Sequence, residues 1–215
     1  MFNLGQIKNS TLRFIQRNFS ILLFLVVIFI SGVTFGSITV KMLNHTEKSE
    51  LIHYLSSFFQ GFQGEFVLQK DLLAQQAIFY NLKSIFILWI LGVSMIGLPL
   101  IPIIIFLRGF VIGFAVGFLV EELAIKGLIF AISAMLPHNI IVIPVLIIAG
   151  VAAVAFALNL LKSKFSKRPL NFVQYFFGYS TMMGLLGIIL VVAALIESLL
   201  TPLVMELVIN FIVAA

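Results

Sequence analysis

Residues 108–127, RGFVIGFAVGFLVEELAIKG, join three evenly spaced glycines to a cluster of charges in otherwise apolar surroundings. Gly109, Gly113 and Gly117 are four residues apart, so a helix carries them on one face. Between lipid tails there is little hydrophobic drive for helices to associate, and small residues help because they let two backbones approach closely. The spacing therefore predicts a membrane-spanning helix that packs on a neighbour through its glycine face.

The next apolar segment offers a partner for that face. In the stretch AGVAAVAFA, Ala149, Ala153 and Ala157 repeat the same four-residue spacing. Arg108 marks the expected cytoplasmic end of one helix and Lys162 that of the other, which places both small-residue faces in the same half of the bilayer. We expect the two helices to pack antiparallel through these faces. A homodimer formed through the glycine face is the alternative.

The charges that follow the glycines lie toward the other end of the same helix. At about 1.5 Å per residue, Glu121 lies roughly 18 Å beyond Gly109. Glu122 and Lys126 are four residues apart with the acid first, which is the favourable order for a helical ion pair. Charges at membrane depth are costly, so these are outer-surface charges, a structural pair inside the membrane or part of an ion path. The wider polar cluster on this side adds His138, Asn139 and Glu197.

The composition of the whole chain is that of a polytopic membrane protein. Of its 215 residues, 62% are hydrophobic and 10% are charged, and the mean hydropathy is +1.22. Soluble domains carry about 25% charged residues. The net charge of +5 does not indicate a nucleic acid partner, because the positions of the charges follow membrane topology, and the expected partner is the lipid bilayer. Cysteine is absent, which excludes disulfides and thiol chemistry.

Long apolar runs predict about five membrane spans, because a helix of about 20 residues crosses a hydrocarbon core of roughly 30 Å. The predicted spans are residues 19–40, 84–107, 109–129, 140–161 and 172–196. Basic residues accumulate in short cytoplasmic loops, and a cytoplasmic N-terminus with an external C-terminus places the flanking basic residues inside. These topology determinants are Lys8, Arg13, Arg17, Arg108, Lys162, Lys164, Lys167 and Arg168.

The longest polar connection, residues 41–83, is predicted to be an extracytoplasmic amphipathic loop. Its apolar residues follow the spacing of a helix with one apolar face. They are Leu51, Ile52, Leu55, Phe58, Phe59 and Phe62. The predicted helix either packs on the bundle or lies at the membrane surface, or it offers its apolar face to a helix or peptide of another protein.

Two further segments depart from simple spans. Residues 127–139 end in Leu-Pro-His-Asn, which predicts an outer turn before the fourth span. In the tail, Thr201 and Pro202 predict a helix break, because proline lacks a backbone donor and clashes with the preceding turn. Residues 203–215 are too few to cross as a helix.

The predicted fold is therefore all-α, a single transmembrane domain over residues 1–215. It is a polytopic helical bundle of about five transmembrane helices. An outer amphipathic helix and a short re-entrant or interfacial C-terminal segment complete it.

No arrangement of residues indicates an enzyme. The chain lacks paired carboxylates in a soluble cleft, a Ser-His-Asp set with an evident scaffold, and a phosphate-binding glycine loop. His45, His53 and His138 are too scattered for a metal site, which needs several ligands around one ion. We expect a non-enzymatic protein without a cofactor or a bound metal.

Three stretches of the chain resemble the stage II sporulation protein M family of integral membrane proteins. They are NLKSIFILWILG at residues 81–92, LRGFVIGFAVGFLVEELAIKGLIFAISAMLPHNIIVIPVLIIAG at 107–150 and AALIESLLTPLV at 193–204. The resemblance extends from about residue 80 to 204, and the chain length and span layout also match the family.

The resemblance implies a protein of endospore-forming bacteria that acts in engulfment, in the septal and engulfing membrane of the mother cell. The family member is a membrane scaffold that gathers two peptidoglycan-degrading enzymes, stage II sporulation proteins D and P. No residue-level site is carried over from the family. The alternative function is a transporter, or a permease-like subunit coupled to an ATPase, with Glu121, Glu122 and Glu197 along an ion or substrate path.

Overall fold

The computed structural model describes the backbone of residues 13–64, 70–94, 96–165 and 171–214, and side chains within 13–57, 75–76, 78–94, 96–133, 135, 139–164 and 171–195. All regular structure in these ranges is helical. The helices are α1 (Phe19–Val40), α2 (His45–Gly64), α3 (Lys70–Val93), α4 (Gly97–Phe165) and α5 (Phe172–Ala214).

Four apolar segments are long enough to cross a membrane, which confirms the predicted helical membrane bundle. They are Phe19–Val40, Gly97–Ser133, Asn139–Lys164 and Phe172–Leu195. A shorter apolar segment, Ile78–Val93, belongs to α3. The first predicted span coincides with α1, and α2 supplies the amphipathic helix predicted in the 41–83 connection.

The second and third spans were predicted in the wrong place. The chain turns between Ser94 and Gly97, in the middle of the predicted 84–107 span, and α4 begins at Gly97. A Cβ added to Gly97 would overlap the Leu91 carbonyl oxygen, so the tight turn requires glycine. Pro99 follows in the first turn of α4, where its missing N–H costs no helical hydrogen bond. Arg108 therefore lies inside a helix, and the prediction that it marks a helix end is wrong.

A second reversal divides α4 into two arms, residues 97–123 and 125–165, on either side of Ala124. Ala124 has φ 50° and ψ −126°, a backbone conformation that costs a residue with a side chain about 1–3 kcal/mol. Gly127 lies against the Leu119 carbonyl, which shows that the second arm folds back along the first. A small core of Leu119, Phe130 and Ala131 stabilises the hairpin.

Two predicted interruptions are absent from the backbone. The expected turn at Leu-Pro-His-Asn, residues 136–139, is helical, and so is the expected break at Thr201 and Pro202 within α5. Proline removes one hydrogen bond from a helix, and neighbouring helices tolerate this in membrane proteins. The position of residues 203–215 relative to a membrane stays a prediction.

The directions of the helices alternate as membrane crossings require. The first arm of α4 runs parallel to α1, because Gly109, Gly113 and Gly117 contact Phe29, Val33 and Ser37 in the same order. Helix α3 runs antiparallel to both that arm and α5, as its contacts with Arg108 and with Tyr179 and Gly187 show. The second arm of α4 lies at the centre, and its Ala149 and Ala153 belong to the largest core cluster.

Candidate functional site

The glycine face of α4 packs on α1. A Cβ added to Gly109 or Gly113 would overlap the carbonyl oxygen of Phe29 or Val33, and one added to Gly117 would lie 3.0 Å from the Ser37 Cα. Helix α1 contributes small residues of its own. Gly32 and Gly36 lie against the backbone of Phe106 and Phe110 in the same manner. The two glycine-bearing faces therefore bring the helices into direct backbone contact.

The alanine face has a different partner from the one predicted. Ala149, Ala153 and Ala157 are fully buried in the second arm of α4. Gly92 of α3 lies close to the Ala153 Cα and to the ring of Tyr179 from α5. The predicted pairing of the glycine face with the alanine face is wrong. Glycines of α1 pack on the glycine face and Gly92 of α3 packs on the alanine face, because glycine lets two backbones approach closely.

The glutamates near the end of the first arm bind a lysine of α2. The Lys48 ammonium donates to the Glu121 carboxylate at 2.8 Å and lies 3.7 Å from the Glu122 carboxylate. The hydrogen bond with Glu121 raises the pKa of Lys48, and the negative charges of both carboxylates add to it. Ala124 interrupts the helix between Glu122 and Lys126, so the regular helical spacing on which their predicted ion pair rested does not exist. Lys48 thus ties α2 to the bundle.

The remaining members of the predicted polar cluster do not join this site. The Asn139 side chain donates to the Met135 carbonyl at 2.8 Å, a local contact within its own helix. The side chains of His138 and Glu197, and the whole of Lys167 and Arg168, lie outside the described residues. Nowhere among the described residues do three or more His, Cys, Asp or Glu side chains come together as a metal site.

The remaining topology determinants separate into two groups. Arg17 lines a cavity together with Asn159 near the end of α4, so the basic residues before α1 and those at the end of α4 share one end of the bundle. The described members of this group are Arg13, Arg17, Lys162 and Lys164. Arg108 is far from that end.

Arg108 belongs to a polar cluster inside the bundle that the sequence reading missed. Its guanidinium is 3.5 Å from the Asn81 side-chain oxygen and lies 4.9 Å from the centre of the Tyr80 ring. Asn81 is 1% exposed, and its amide nitrogen has no hydrogen-bond partner. Such a buried donor costs about 1–3 kcal/mol when it is left unpaired. The cluster therefore holds a buried hydrogen-bond donor that lacks an acceptor.

The depth of this cluster follows from the packing of the glycine face. Gly109 contacts Phe29, which lies near the middle of α1. At about 1.5 Å per residue, Arg108 is therefore about 15 Å from either end of that span. An arginine at the centre of a spanning helix costs about 2.5–3.5 kcal/mol on insertion scales and by default marks a functional site.

Two cavities adjoin the cluster and share Lys83. One of about 300 Å³ lies between α3 and α4 and is lined by Tyr80, Lys83 and Arg108. The other, about 820 Å³, is an open groove between α3 and α5, bounded by Phe79 and Val192 at one end and Trp89 and Ser180 at the other. We call this second cavity the α3–α5 groove.

The polar residues of α3 give the signal that could have found the cluster. Tyr80, Asn81, Lys83 and Ser84 are consecutive or nearly so and lie immediately before a continuous apolar run. Beginning the predicted span at residue 84 excluded them from the membrane. Their pairing with Arg108 could not be inferred without knowing that the chain turns between Ser94 and Gly97.

Hydrogen bonds also hold α3 to α5. The Tyr179 hydroxyl lies 3.1 Å from the Leu88 carbonyl oxygen and 3.2 Å from that of Trp89, within donating distance of either. The Trp89 ring nitrogen donates to the Ser180 hydroxyl at 3.0 Å. Tyr179 stacks on Phe156 of α4, with ring centres 4.4 Å apart. These contacts fix the inner wall of the α3–α5 groove.

One family model matches the chain. It is described as SpoIIM, stage II sporulation protein M, and the match covers residues 25–202. That range includes both glycine faces, the Arg108 cluster and the α3–α5 groove. No curated protein and no solved structure matches the chain.

Proposed function

The chain belongs to the stage II sporulation protein M family, a family of sporulation membrane proteins, and on that premise we propose that it is a non-catalytic scaffold. Its role is to gather peptidoglycan-degrading enzymes, stage II sporulation proteins D and P, at the septal and engulfing membrane of the mother cell. The family match over residues 25–202 is the observation that carries this proposal.

The contacts of the polar side chains in the described part of the chain support the scaffold. Lys48 pairs with Glu121 and lies close to Glu122, so these carboxylates serve to hold α2 on the bundle. A transport path requires carboxylates that are free to bind and release an ion. Two of the three glutamates that suggested a transporter therefore favour a structural role.

The proposed orientation places the basic end of the bundle in the cytoplasm. Arg17 and Lys164 belong to that end, and basic residues favour the cytoplasmic side. Helix α2 and the Ala124 reversal then face the outside, where peptidoglycan lies. This orientation gives partners that act on the wall an outward surface to bind.

The test is affinity purification of the tagged full chain from sporulating cells, with identification of the proteins that accompany it. We expect the two wall-degrading proteins to be recovered, and a tagged unrelated multi-span protein expressed at the same level serves as the control. Recovery of an ATPase in place of wall hydrolases would contradict the scaffold. A scaffold also predicts that the purified chain itself does not cleave peptidoglycan.

A further inference from the structure

The cluster around Arg108 has more donors than acceptors. Among the described residues, no acidic side chain lies within ion-pair distance of Arg108 or Lys83. The Asn81 amide nitrogen adds a buried donor without an acceptor. The site thus presents two positive charges and a spare N–H, and the group it lacks is an anion.

We propose that the α3–α5 groove binds a membrane-spanning helix of a partner protein, and that a carboxylate near the middle of that helix pairs with Lys83. The inference deepens the proposed function and rests on it for the existence of partners, because it assigns the surface on which a scaffold holds one of them. The partner is defined by its chemistry, an apolar helix with one central Asp or Glu.

The depth of the cations selects a helix over a lipid headgroup. Arg108 lies about 15 Å from either end of the α1 span, at the depth of acyl chains. Lipid phosphates occupy the two interfaces of a hydrocarbon core about 30 Å thick, so they lie about 15 Å from its middle. A carboxylate fixed to a spanning helix is the anion that can be held at this depth.

The shape of the groove fits the same occupant. It is almost entirely apolar, and its lining residues extend from Phe79 to Trp89 along α3. That distance is about 15 Å, roughly three helical turns. Gly184 on its floor has nothing within 4 Å of an added Cβ, which leaves room for close approach of another backbone. Lys83 lines both the groove and the cavity that holds Arg108, so it is the cation that a helix in the groove meets, and Arg108 lies in the adjoining cavity.

The absence of cysteine allows a direct test with the full chain. A single cysteine replaces Ile188, which is 61% exposed and lines the groove. The purified protein is reconstituted in phosphatidylcholine vesicles with a synthetic single-span leucine–alanine peptide that carries one central glutamate and one cysteine a turn away. Disulfide cross-linking after mild oxidation measures occupancy of the groove.

We expect the glutamate peptide to cross-link about fivefold or more above the same peptide with glutamine, as interhelical polar contacts of ordinary strength allow. Lys83→Gln removes most of that difference, and because Lys83 is exposed the substitution does not disturb the packing of the bundle. Lys162→Gln, an exposed cation at the far end of α4, is the matched control and leaves the difference intact.

Three outcomes would overturn the inference. Equal cross-linking of the glutamate and glutamine peptides would show that charge pairing does not contribute to binding. Cross-linking between two copies of the chain that disappears with Glu197→Gln assigns the groove to a second copy. The third outcome is that added phosphatidylglycerol abolishes the glutamate preference and is retained by the protein only when Lys83 is present. It would show that Lys83 binds a lipid headgroup. None of these results depends on recovery of wall hydrolases from cells, so the proposed function and this inference can fail separately.

Discussion

Gly113 of α4 and the carbonyl oxygen of Val33 in α1 are in direct contact, with no space for a side-chain carbon between them. The contact is reciprocated one turn away, where Gly36 lies against the Phe110 carbonyl. The parallel alignment of α1 with the first arm of α4 therefore depends on glycine in both helices.

Gly113→Ala is expected to destabilise the protein by about 1–3 kcal/mol, because the added methyl group forces two backbones apart in a packed interface. Thermal unfolding in detergent, followed by the fluorescence of the single tryptophan, measures the change. Gly184→Ala is the control, since its Cβ enters open space inside a helix, and it should unfold at or slightly above the wild-type temperature. Equal effects of the two substitutions would mean that the α1–α4 contact does not limit stability.

The glycine spacing predicted that a tight helix contact exists but not which helix supplies the other side. Ala149, Ala153 and Ala157 have the same spacing as the glycines, and Gly32 and Gly36 show it as well. Spacing carries no information on pairing, which depends on how the chain folds back between the helices. Because the chain turns back between Ser94 and Gly97, α3 packs on the side of α4 that carries Arg108. The neighbouring side, which carries Gly109, is left to α1.

Lys48→Gln is expected to release the start of α2 from the bundle, because it removes the ammonium that binds Glu121 and Glu122. Hydrogen exchange of residues 45–57 measures the release, and exchange should be faster in the variant. Lys41→Gln is the matched control, because Lys41 acts on Glu121 through its charge without an ion-pair contact and its loss should release α2 less. Restored protection in the charge-swapped pair Lys48→Glu with Glu121→Lys would assign the effect to this contact.

The same contact predicts a pH dependence of defined sign. The pKa of Lys48 is raised above its ordinary 10.5 by the hydrogen bond with Glu121. A raised lysine pKa contributes stability that is fully present below 10.5 and is lost as the pH rises through the higher folded value. Wild-type and Lys48→Gln should therefore differ at neutral pH and converge in strongly alkaline solution. A difference that grows with rising pH would contradict the ion pair.

The location of Arg108 shows why a charge is a poor guide to a helix end. A basic residue between apolar runs is usually read as a loop, and the positive-inside rule then assigns it a side. Here Asn81 and Tyr80 of the adjoining helix contact the guanidinium, so the charge remains inside the bundle. The true turn at Ser94–Gly97 contains no charge and is marked by glycine with proline following.

Asn81→Asp is expected to stabilise the protein by up to about 2 kcal/mol, because a carboxylate in place of the amide accepts a charge-assisted hydrogen bond from Arg108. Asn81→Leu has a similar volume and no acceptor, and it should cost about 1–3 kcal/mol because it removes the hydrogen bond from Arg108. Destabilisation by aspartate would show that the Arg108 charge is already neutralised.

Tyr179→Phe is expected to cost about 0.5–1.5 kcal/mol, because it removes the hydroxyl that hydrogen-bonds the carbonyl oxygens at Leu88 and Trp89 while keeping the ring stacked on Phe156. Tyr175→Phe is the control, since that side chain is exposed and its hydroxyl accepts a hydrogen bond from the side chain of Asn159. Thermal unfolding of the two variants in the same detergent measures the difference. Equal losses would mean that the hydroxyl of Tyr179 does not hold α3 to α5.

Cysteine labelling tests the orientation of the bundle and the depth of Arg108 together. With the N-terminus in the cytoplasm, a cysteine at His45 should react with an impermeant maleimide from outside, and one at Lys164 only after the membrane is permeabilised. A cysteine at Val111, exposed on the surface of α4 one turn beyond Arg108, should react in neither condition because lipid covers it. If Arg108 marked the cytoplasmic end of a helix, position 111 would lie close to water and react after permeabilisation. Reaction at position 164 from outside would invert the bundle and place α2 in the cytoplasm, away from the cell wall.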